Sequence, residues 1–292
     1  MNEYEAGNPM GDGKVDDYER YIIDQGWDKY TEEEHGTWNI LYNRQKEILK
    51  GRACDAFLEN MEKLEISDRE IPDFKILSRK LKALTGWEVV AVPGLIPNLA
   101  FFQLLANRKF PAGNFIRRRD QLDYIEEPDV FHDLFGHSPL LADPVFTDYM
   151  EAYGKGGLRA AENGMIAQFS RLYWYTVEFG LMRTAEGLRI YGAGILSSPG
   201  ESVFALDDPS PNRIEFDLKR MMQTKYRVDD YQPTYFVIDS FRQLFDETYQ
   251  DFGPLYEALK AEKIEYAVDE VVEGDRIIHR GTGEYARARK AS

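Results

Sequence analysis

The 292-residue chain has a single cysteine, Cys54. Without a second thiol it has no intramolecular disulfide and no thiolate metal cluster. The stretch Gly51-Arg-Ala-Cys-Asp-Ala-Phe reads as an amphipathic helix, which makes Cys54 a buried core thiol rather than a nucleophile. Basic residues are also in deficit: 36 Lys and Arg stand against 51 Asp and Glu, a net charge of −15. Nucleic acid and anionic membrane surfaces both need clustered cations, so neither is expected as a partner. The start, Met-Asn-Glu-Tyr-Glu-Ala, has neither the basic nor the apolar region of a signal peptide, and the expectation is a cytoplasmic protein. One uncharged run, Val89 to Asn107, is broken by Pro93, Gly94, Pro97 and Asn98, a pattern that a lipid-exposed helix does not tolerate. No P-loop, Gly-x-Ser-x-Gly or Gly-x-Gly-x-x-Gly signature is present.

The chain has 43% hydrophobic residues, with 18 Tyr and 17 Phe, enough for one substantial packed interior. The first 36 residues hold eleven acidic and three basic side chains together with Gly7, Pro9, Gly11 and Gly13. Residues 1–36 are therefore expected to be an acidic, partly flexible segment with a frayed start. Residues 37–260 form the main domain, and 261–292 an extension that ends in a basic tail without a core stripe, Arg280 to Ser292.

Apolar residues at helical spacing run from Thr37 to about Glu65. A second helix is expected from Ser67 to Leu84, with Ser67 and Glu70 as a capping box. Glu88 to Val92 reads as a strand and Leu99 to Asn107 as a short helix. A helix from Asp129 to Phe135 is stopped by Gly136 and Pro139, and another opens at Asp143-Pro144. Met165 to Phe179 reads as a buried helix and Leu188 to Pro199 as loop. Gln232 to Phe252 reads as a strand and then a long helix carrying Phe241, Leu244, Phe245 and Tyr249 on one face. The sum is a mostly α single domain with a few short β-strands.

Histidine is scarce: His35, His132, His137 and His279. His132 and His137 lie five apart, which on a straight α-helix sets them about 140° from each other. Gly136 changes that by ending the helix and letting His137 turn back toward His132. The His-Glu-x-x-His zinc pattern does not fit this spacing. Glu178, on an otherwise apolar helix, is a carboxylate that is costly to bury without a partner. Two His and one carboxylate form the facial set of non-haem Fe(II) oxygenases. Two satisfied histidines and a Glu paired with an arginine such as Arg183 suit the same spacing, and spacing alone does not choose.

Four longer runs do choose: Val92-Pro-Gly-Leu-Ile, Glu127-Pro-Asp-Val-Phe-His-Asp-Leu-Phe-Gly-His, Tyr173-Trp-Tyr-Thr-Val-Glu-Phe-Gly-Leu and Tyr191-Gly-Ala-Gly-Ile-Leu-Ser-Ser-Pro-Gly-Glu. In this order they resemble the pterin-dependent aromatic amino acid hydroxylases, from about Trp38 to Tyr256. The resemblance implies Fe(II) held by His132, His137 and Glu178, and tetrahydrobiopterin or a related tetrahydropterin as electron donor. It implies that Phe101 stacks on the pterin and that the backbone of Gly94, Leu95 and Ile96 binds it. Asp133 stands where the family commonly has a Glu that meets the pterin through water.

On the substrate side the resemblance makes Arg117 the partner of the amino acid carboxylate, oriented by Asp129. It makes Pro128, Trp174 and Phe179 the walls of the aromatic pocket, closed by Gly194 and Ser197. Ser197, Glu201 and Tyr173 would support the ligands or the substrate from behind. Ile125 stands where animal members have a Thr that touches the substrate. Trp174 and Val237 favour phenylalanine, converted with O2 to tyrosine, over tyrosine or tryptophan as substrate. A metal- or pterin-binding sensor without turnover is the alternative from another class, and it would not need Arg117 with Asp129. The chain lacks a long regulatory region and a tetramerising heptad run, so a compact bacterial-type monomer is expected.

Overall fold

The computed structural model describes residues 17–123, 125 and 127–291. Helix α1, Glu32–Ile48, starts on a capping box: the Thr31 hydroxyl accepts from the Glu34 N–H, and the Glu34 carboxylate accepts from the Thr31 N–H. The helical spacing from Thr37 onward is split in two. Gly51, at φ +70°, turns the chain, and α2, Asp55–Lys63, starts afresh. Cys54 therefore precedes a helix in extended conformation rather than sitting inside one. It is buried, and burial pushes its thiol up to about 12, which leaves it inert.

The capping box expected at Ser67 and Glu70 does not start a helix. Pro72 disfavours helical geometry at Ile71. Helix α3, Phe74–Leu84, begins instead from Asp73, whose carboxylate accepts from the Lys75 N–H. The connecting segment is tied to α1, because its Ser67 and Ile66 carbonyls accept from the Trp38 indole and the Tyr42 hydroxyl.

Strand β1, Glu88–Val92, leads through α4, Asn98–Ala106, into β2, Lys109–Gly113, which pairs with β1 in parallel. Lys-Phe-Pro-Ala-Gly carries little strand signal of its own. Pro111 is tolerated because this sheet has only two strands and one side of β2 needs no donor. Helix α5, Pro144–Glu162, is capped by Asp143 and packs along α4, and α6 spans Ile166–Tyr173.

The segment 188–199 is not loop. Strands β3, Leu181–Thr184, and β4, Gly187–Ile190, form a hairpin, followed by the short helix α7, Ala193–Leu196, and then α8, Pro199–Asp207. After these come β5, Asn212–Glu215; α9, Leu218–Gln223; and β6, Thr234–Ile238. Helix α10, Phe241–Thr248, is shorter than the long helix expected up to Phe252, and a further helix, α11, Gly253–Glu262, follows it. Phe241 and Leu244 are buried, whereas Tyr249, past the end of α10, is 70% exposed.

Strand β7, Ile277–His279, completes a five-stranded sheet of order β4-β3-β6-β5-β7. The basic tail contains α12, Glu284–Ala291, and does reach the body of the protein: the Tyr285 ring packs on Phe204 and Tyr231. At the other end, Ile23 bridges Ala91 on β1, which ties part of the acidic segment down. The frayed start expected before it lies outside the described residues. One continuous core, from Trp38 and Phe57 through Phe131 and Tyr149 to Tyr235, supports this mostly helical fold with its few short strands.

Candidate active site

The helix that begins at Val130 does not stop at Gly136. It widens into a π-turn over His132–His137, which closes with the Ser138 N–H donating to the Asp133 carbonyl. A π-turn bonds i to i+5, so residues five apart stack on one side, where an α-helix would separate them. Gly136 has a different task from ending the helix: a Cβ there would stand 2.8 Å from the Ala193 carbonyl oxygen. The glycine lets the 191–198 segment pass directly across the turn. A second π-turn, Trp174–Glu178, follows α6, with the Phe179 N–H donating to the Trp174 carbonyl at 2.9 Å. It delivers Glu178.

These two turns face each other. His132 Nε2 and His137 Nε2 are 3.0 Å apart. Glu178 Oε2 lies 3.5 Å from the first and Oε1 3.2 Å from the second. The Ser197 hydroxyl donates to the Ala193 carbonyl at 2.8 Å, so toward His132 Nδ1, at 2.9 Å, it accepts. That places the proton of His132 on Nδ1 and leaves Nε2 as a lone pair. Burial pushes His132 down to about 4, so it is neutral at pH 7. At His137 burial opposes charge, but the Glu178 carboxylate outweighs it and the net shift is upward. Glu178 shows the converse: burial opposes its charge, the two imidazoles outweigh that, and its carboxyl is lowered. The Gly194 N–H adds a hydrogen bond to the same carboxylate.

Two imidazole nitrogens and a carboxylate converging this closely repel unless a proton or a cation sits among them. Two neutral nitrogens and one anionic oxygen suit a divalent transition metal, and the set leaves further coordination positions open. The residues fit iron. Tyr173 stacks over His137 with ring centres 6.3 Å apart, and Phe110 on β2 lies 4.8 Å from the same imidazole. The sequence did not point to Phe110, because nothing marked β2 as an element.

Arg117 lies one layer away. Its Nε and Nη2 donate to the two oxygens of Asp129 at 2.8 Å each, and its backbone N–H donates to Oδ2 at 2.9 Å. Asp129 is fully buried and also accepts from the His132 backbone N–H at 3.1 Å. Burial opposes its charge, but the Arg117 guanidinium outweighs that and holds the carboxyl below its usual range. One carboxylate therefore ties the arginine to the first metal ligand. Of the run Arg117-Arg118-Arg119 only Arg117 turns inward, and Arg118 is exposed on Asp120.

The Trp174 ring contacts Phe179 at 4.7 Å and stacks on Tyr226 at 4.4 Å. Gly194 lies against Phe179, and Pro128 is exposed beside Asp129. Phe101 stands edge-on to Tyr173 at 5.4 Å. Leu95 is 57% exposed, and Gly94 has the Glu127 carboxylate directly over its Cα. The Asp133 carboxylate accepts from the Gly113 N–H at 2.7 Å, and burial pushes it up to about 7. Ile125 is half-buried, and Val237 is buried in β6.

Glu201 stands one step farther out than expected. Its Oε1 accepts from the Gln232 backbone N–H at 2.9 Å and from the Tyr235 hydroxyl at 2.7 Å, so it supports Gln232 rather than an imidazole. Burial pushes its carboxyl up to about 7, against 4.5 in the unfolded chain. Between those values the folded protein keeps a proton that the unfolded chain has released, so stability falls as pH rises through this window and levels off above about 7. Glu201→Gln removes this titration. The unfolding free energy of wild type relative to E201Q, followed by denaturant titration, should decline from pH 4.5 to 7. A difference that stays constant across the window contradicts the assignment.

The geometry agrees with the comparisons to known proteins. Residues 27–262 match the model of the biopterin-dependent aromatic amino acid hydroxylase family. The phenylalanine-4-hydroxylase of Caulobacter vibrioides is 59% identical over 268 residues, 92% of this chain and 91% of that protein. The phenylalanine-4-hydroxylase of Chromobacterium violaceum is 55% identical over 92% of this chain and 90% of its own length. The crystal structure of the C. violaceum enzyme bound to iron and phenylalanine superimposes with a TM-score of 0.86, at 54% identity, over 90% of this chain and 95% of that one. The chain described here is a member of the biopterin-dependent aromatic amino acid hydroxylase family.

Proposed function

We propose that the protein is a phenylalanine 4-monooxygenase, which converts L-phenylalanine and O2 to L-tyrosine with a tetrahydropterin as co-substrate. The observation that carries this reading is the juxtaposition of the His132–His137–Glu178 cluster with a buried Arg117 braced by Asp129. A metal-binding sensor would need the first and not the second. When bound, Fe(II) supplies the activation of O2, and the tetrahydropterin supplies two electrons and takes up one oxygen atom.

The protein's own part is placement. Among the described residues Asp129 takes the Nε N–H and one N–H of Nη2 of Arg117, which leaves the second Nη2 N–H and those of Nη1 as donors for an amino acid carboxylate. Trp174, Phe179, Pro128 and Gly194 wall the aromatic ring, and Ser197 fixes the imidazole of His132 beside it. Phe101 stacks on the pterin, with Gly94, Leu95, Ile96 and Asp133 along its edge. Tyr173 packs between Phe101 and His137 and supports both rings from behind. Apolar walls keep water away from the reacting ring, which has no acid or base of its own to be served. Val237 leaves no polar group unpaired beside a ring without a hydroxyl.

We read the working form as a cytoplasmic monomer; no helix of the described residues is long and apolar enough to cross a membrane. The test supplies phenylalanine, tyrosine and tryptophan at equal concentration with Fe(II), a tetrahydropterin and O2. Preferential loss of phenylalanine with appearance of tyrosine supports the reading. Preferential loss of tryptophan or tyrosine reassigns the substrate, and binding of one iron per chain without any turnover favours the sensor.

A further inference from the structure

A buried polar side chain that no expectation included sits behind the aromatic wall. Gln232 is 1% exposed, two residues before β6. Its Oε1 accepts from the Trp174 indole N–H at 3.1 Å. Its Nε2 donates to the Arg227 carbonyl at 2.8 Å, which fixes which end of the amide faces the tryptophan. Its backbone N–H donates to Glu201 at 2.9 Å. The amide is thus held at both ends, and the oxygen offered to Trp174 is not free to move.

The loop that carries Gln232 is held as firmly. Asp230 accepts from the Tyr285 hydroxyl at 2.7 Å and from Arg289 at 3.1 Å, both on α12. Tyr231 stacks on Tyr285 with ring centres 5.4 Å apart. An indole has one polar atom, and here that atom is bonded to a fixed acceptor. Tyr226 covers one side of the ring, stacked at 4.4 Å. Rotation of the ring about its side-chain bonds would part the indole N–H from its acceptor and leave Gln232 Oε1 with only the 3.4 Å bond from the Arg227 backbone N–H, at a cost that discourages it.

We infer that Gln232 is a positioning residue for substrate selection: by pinning the Trp174 indole through its N–H, it sets the depth of the aromatic cleft for a single ring. The inference rests on the proposed role of Trp174 as a cleft wall. A pinned wall excludes a bicyclic side chain by steric contact. A wall that can tilt binds phenylalanine less well and admits tryptophan more readily.

The test is a mutant cycle on the iron-loaded enzyme. Gln232→Leu removes the acceptor at similar volume, and Trp174→Phe removes the donor but keeps a ring. For both singles and the double, KM and kcat are measured for phenylalanine, with KM for the tetrahydropterin and the phenylalanine-to-tryptophan ratio of kcat/KM. Each single should raise KM for phenylalanine by about tenfold, the loss of one buried hydrogen bond. KM for the pterin should stay unchanged, the preference for phenylalanine over tryptophan should fall, and the double should be no worse than the poorer single.

If W174F raises KM while Q232L does not, the wall stands and the role of Gln232 is overturned. Effects that multiply in the double, or a pterin KM that rises in parallel, also overturn it. If W174F leaves KM unchanged, the wall itself is misassigned. Should Q232L lose its near-ultraviolet circular dichroism, Gln232→Met, longer and more adaptable, carries the same cycle.

Discussion

Glu178→Ala should yield a folded protein that neither retains iron nor forms tyrosine. The carboxylate is the one formal charge in a cluster where two imidazole nitrogens stand 3.0 Å apart. Without it a divalent cation faces two neutral ligands, and the affinity lost is several kcal/mol. At fixed iron that corresponds to a fall in activity of at least about a thousandfold. His132→Ala should do the same. Ser197→Ala should be milder, a loss on the order of ten- to a hundredfold in metal affinity, because it frees the His132 ring without removing a ligand. The fold should survive in E178A, since the imidazoles left behind can stay neutral and leave no unpaired buried charge. Iron content by elemental analysis and tyrosine by chromatography check this. Iron at one per chain with near wild-type turnover in E178A would remove Glu178 from the ligand set.

Arg117 gives the other large effect, and the choice of substitution matters. Arg117→Ala leaves Asp129, which is fully buried, as an unpaired carboxylate. Breaking such a pair costs about 3–5 kcal/mol, so a loss of activity in R117A mixes instability with lost binding. Arg117→Lys keeps the charge and loses the fork. An ammonium group cannot hold both oxygens of Asp129 and also meet a substrate carboxylate squarely. We expect R117K to raise KM for phenylalanine by about ten- to a hundredfold with kcat changed by only a few-fold, the pattern of lost binding in ground and transition states alike. A KM for phenylalanine equal to wild type in R117K would place the carboxylate clamp elsewhere.

The identities of the ligands were legible in the sequence and their geometry was not. With four histidines in the chain, His132 and His137 stood out, and the surrounding runs pointed to Glu178. Nothing in the pattern showed that both ligand-bearing segments widen into π-turns. The apolar periodicity of one such turn differs too little from that of an α-helix to be read. Gly136 hides its role for a related reason: its helix-breaking character is local, whereas its use, letting Ala193 approach, is set by a segment nearly sixty residues away.

The same holds for 188–199, where glycine and serine suggested loop. There they allow a hairpin end and a short helix to pass close to Glu178. Strand β2 was invisible because pairing with β1, not its own composition, makes it a strand. Arg117 was separable from Arg118 and Arg119 only by resemblance, since a run of three arginines does not say which one turns inward. Gln232 gave no signal, as a lone polar residue before a strand is ordinary. Glu201 lies in one of the four runs, but the groups it bonds, the Gln232 N–H and the Tyr235 hydroxyl, come from a segment more than thirty residues away that no run includes.

The most direct measurement follows the oxygen. The enzyme, loaded with Fe(II) and given phenylalanine and a tetrahydropterin, is run under oxygen-18 gas in ordinary water, and the tyrosine is weighed by mass spectrometry. Tyrosine carrying one heavy oxygen, formed only when iron and pterin are both present, is the expected result. Tyrosine without the label, or formation that is indifferent to iron, would contradict monooxygenation at the His132–His137–Glu178 centre.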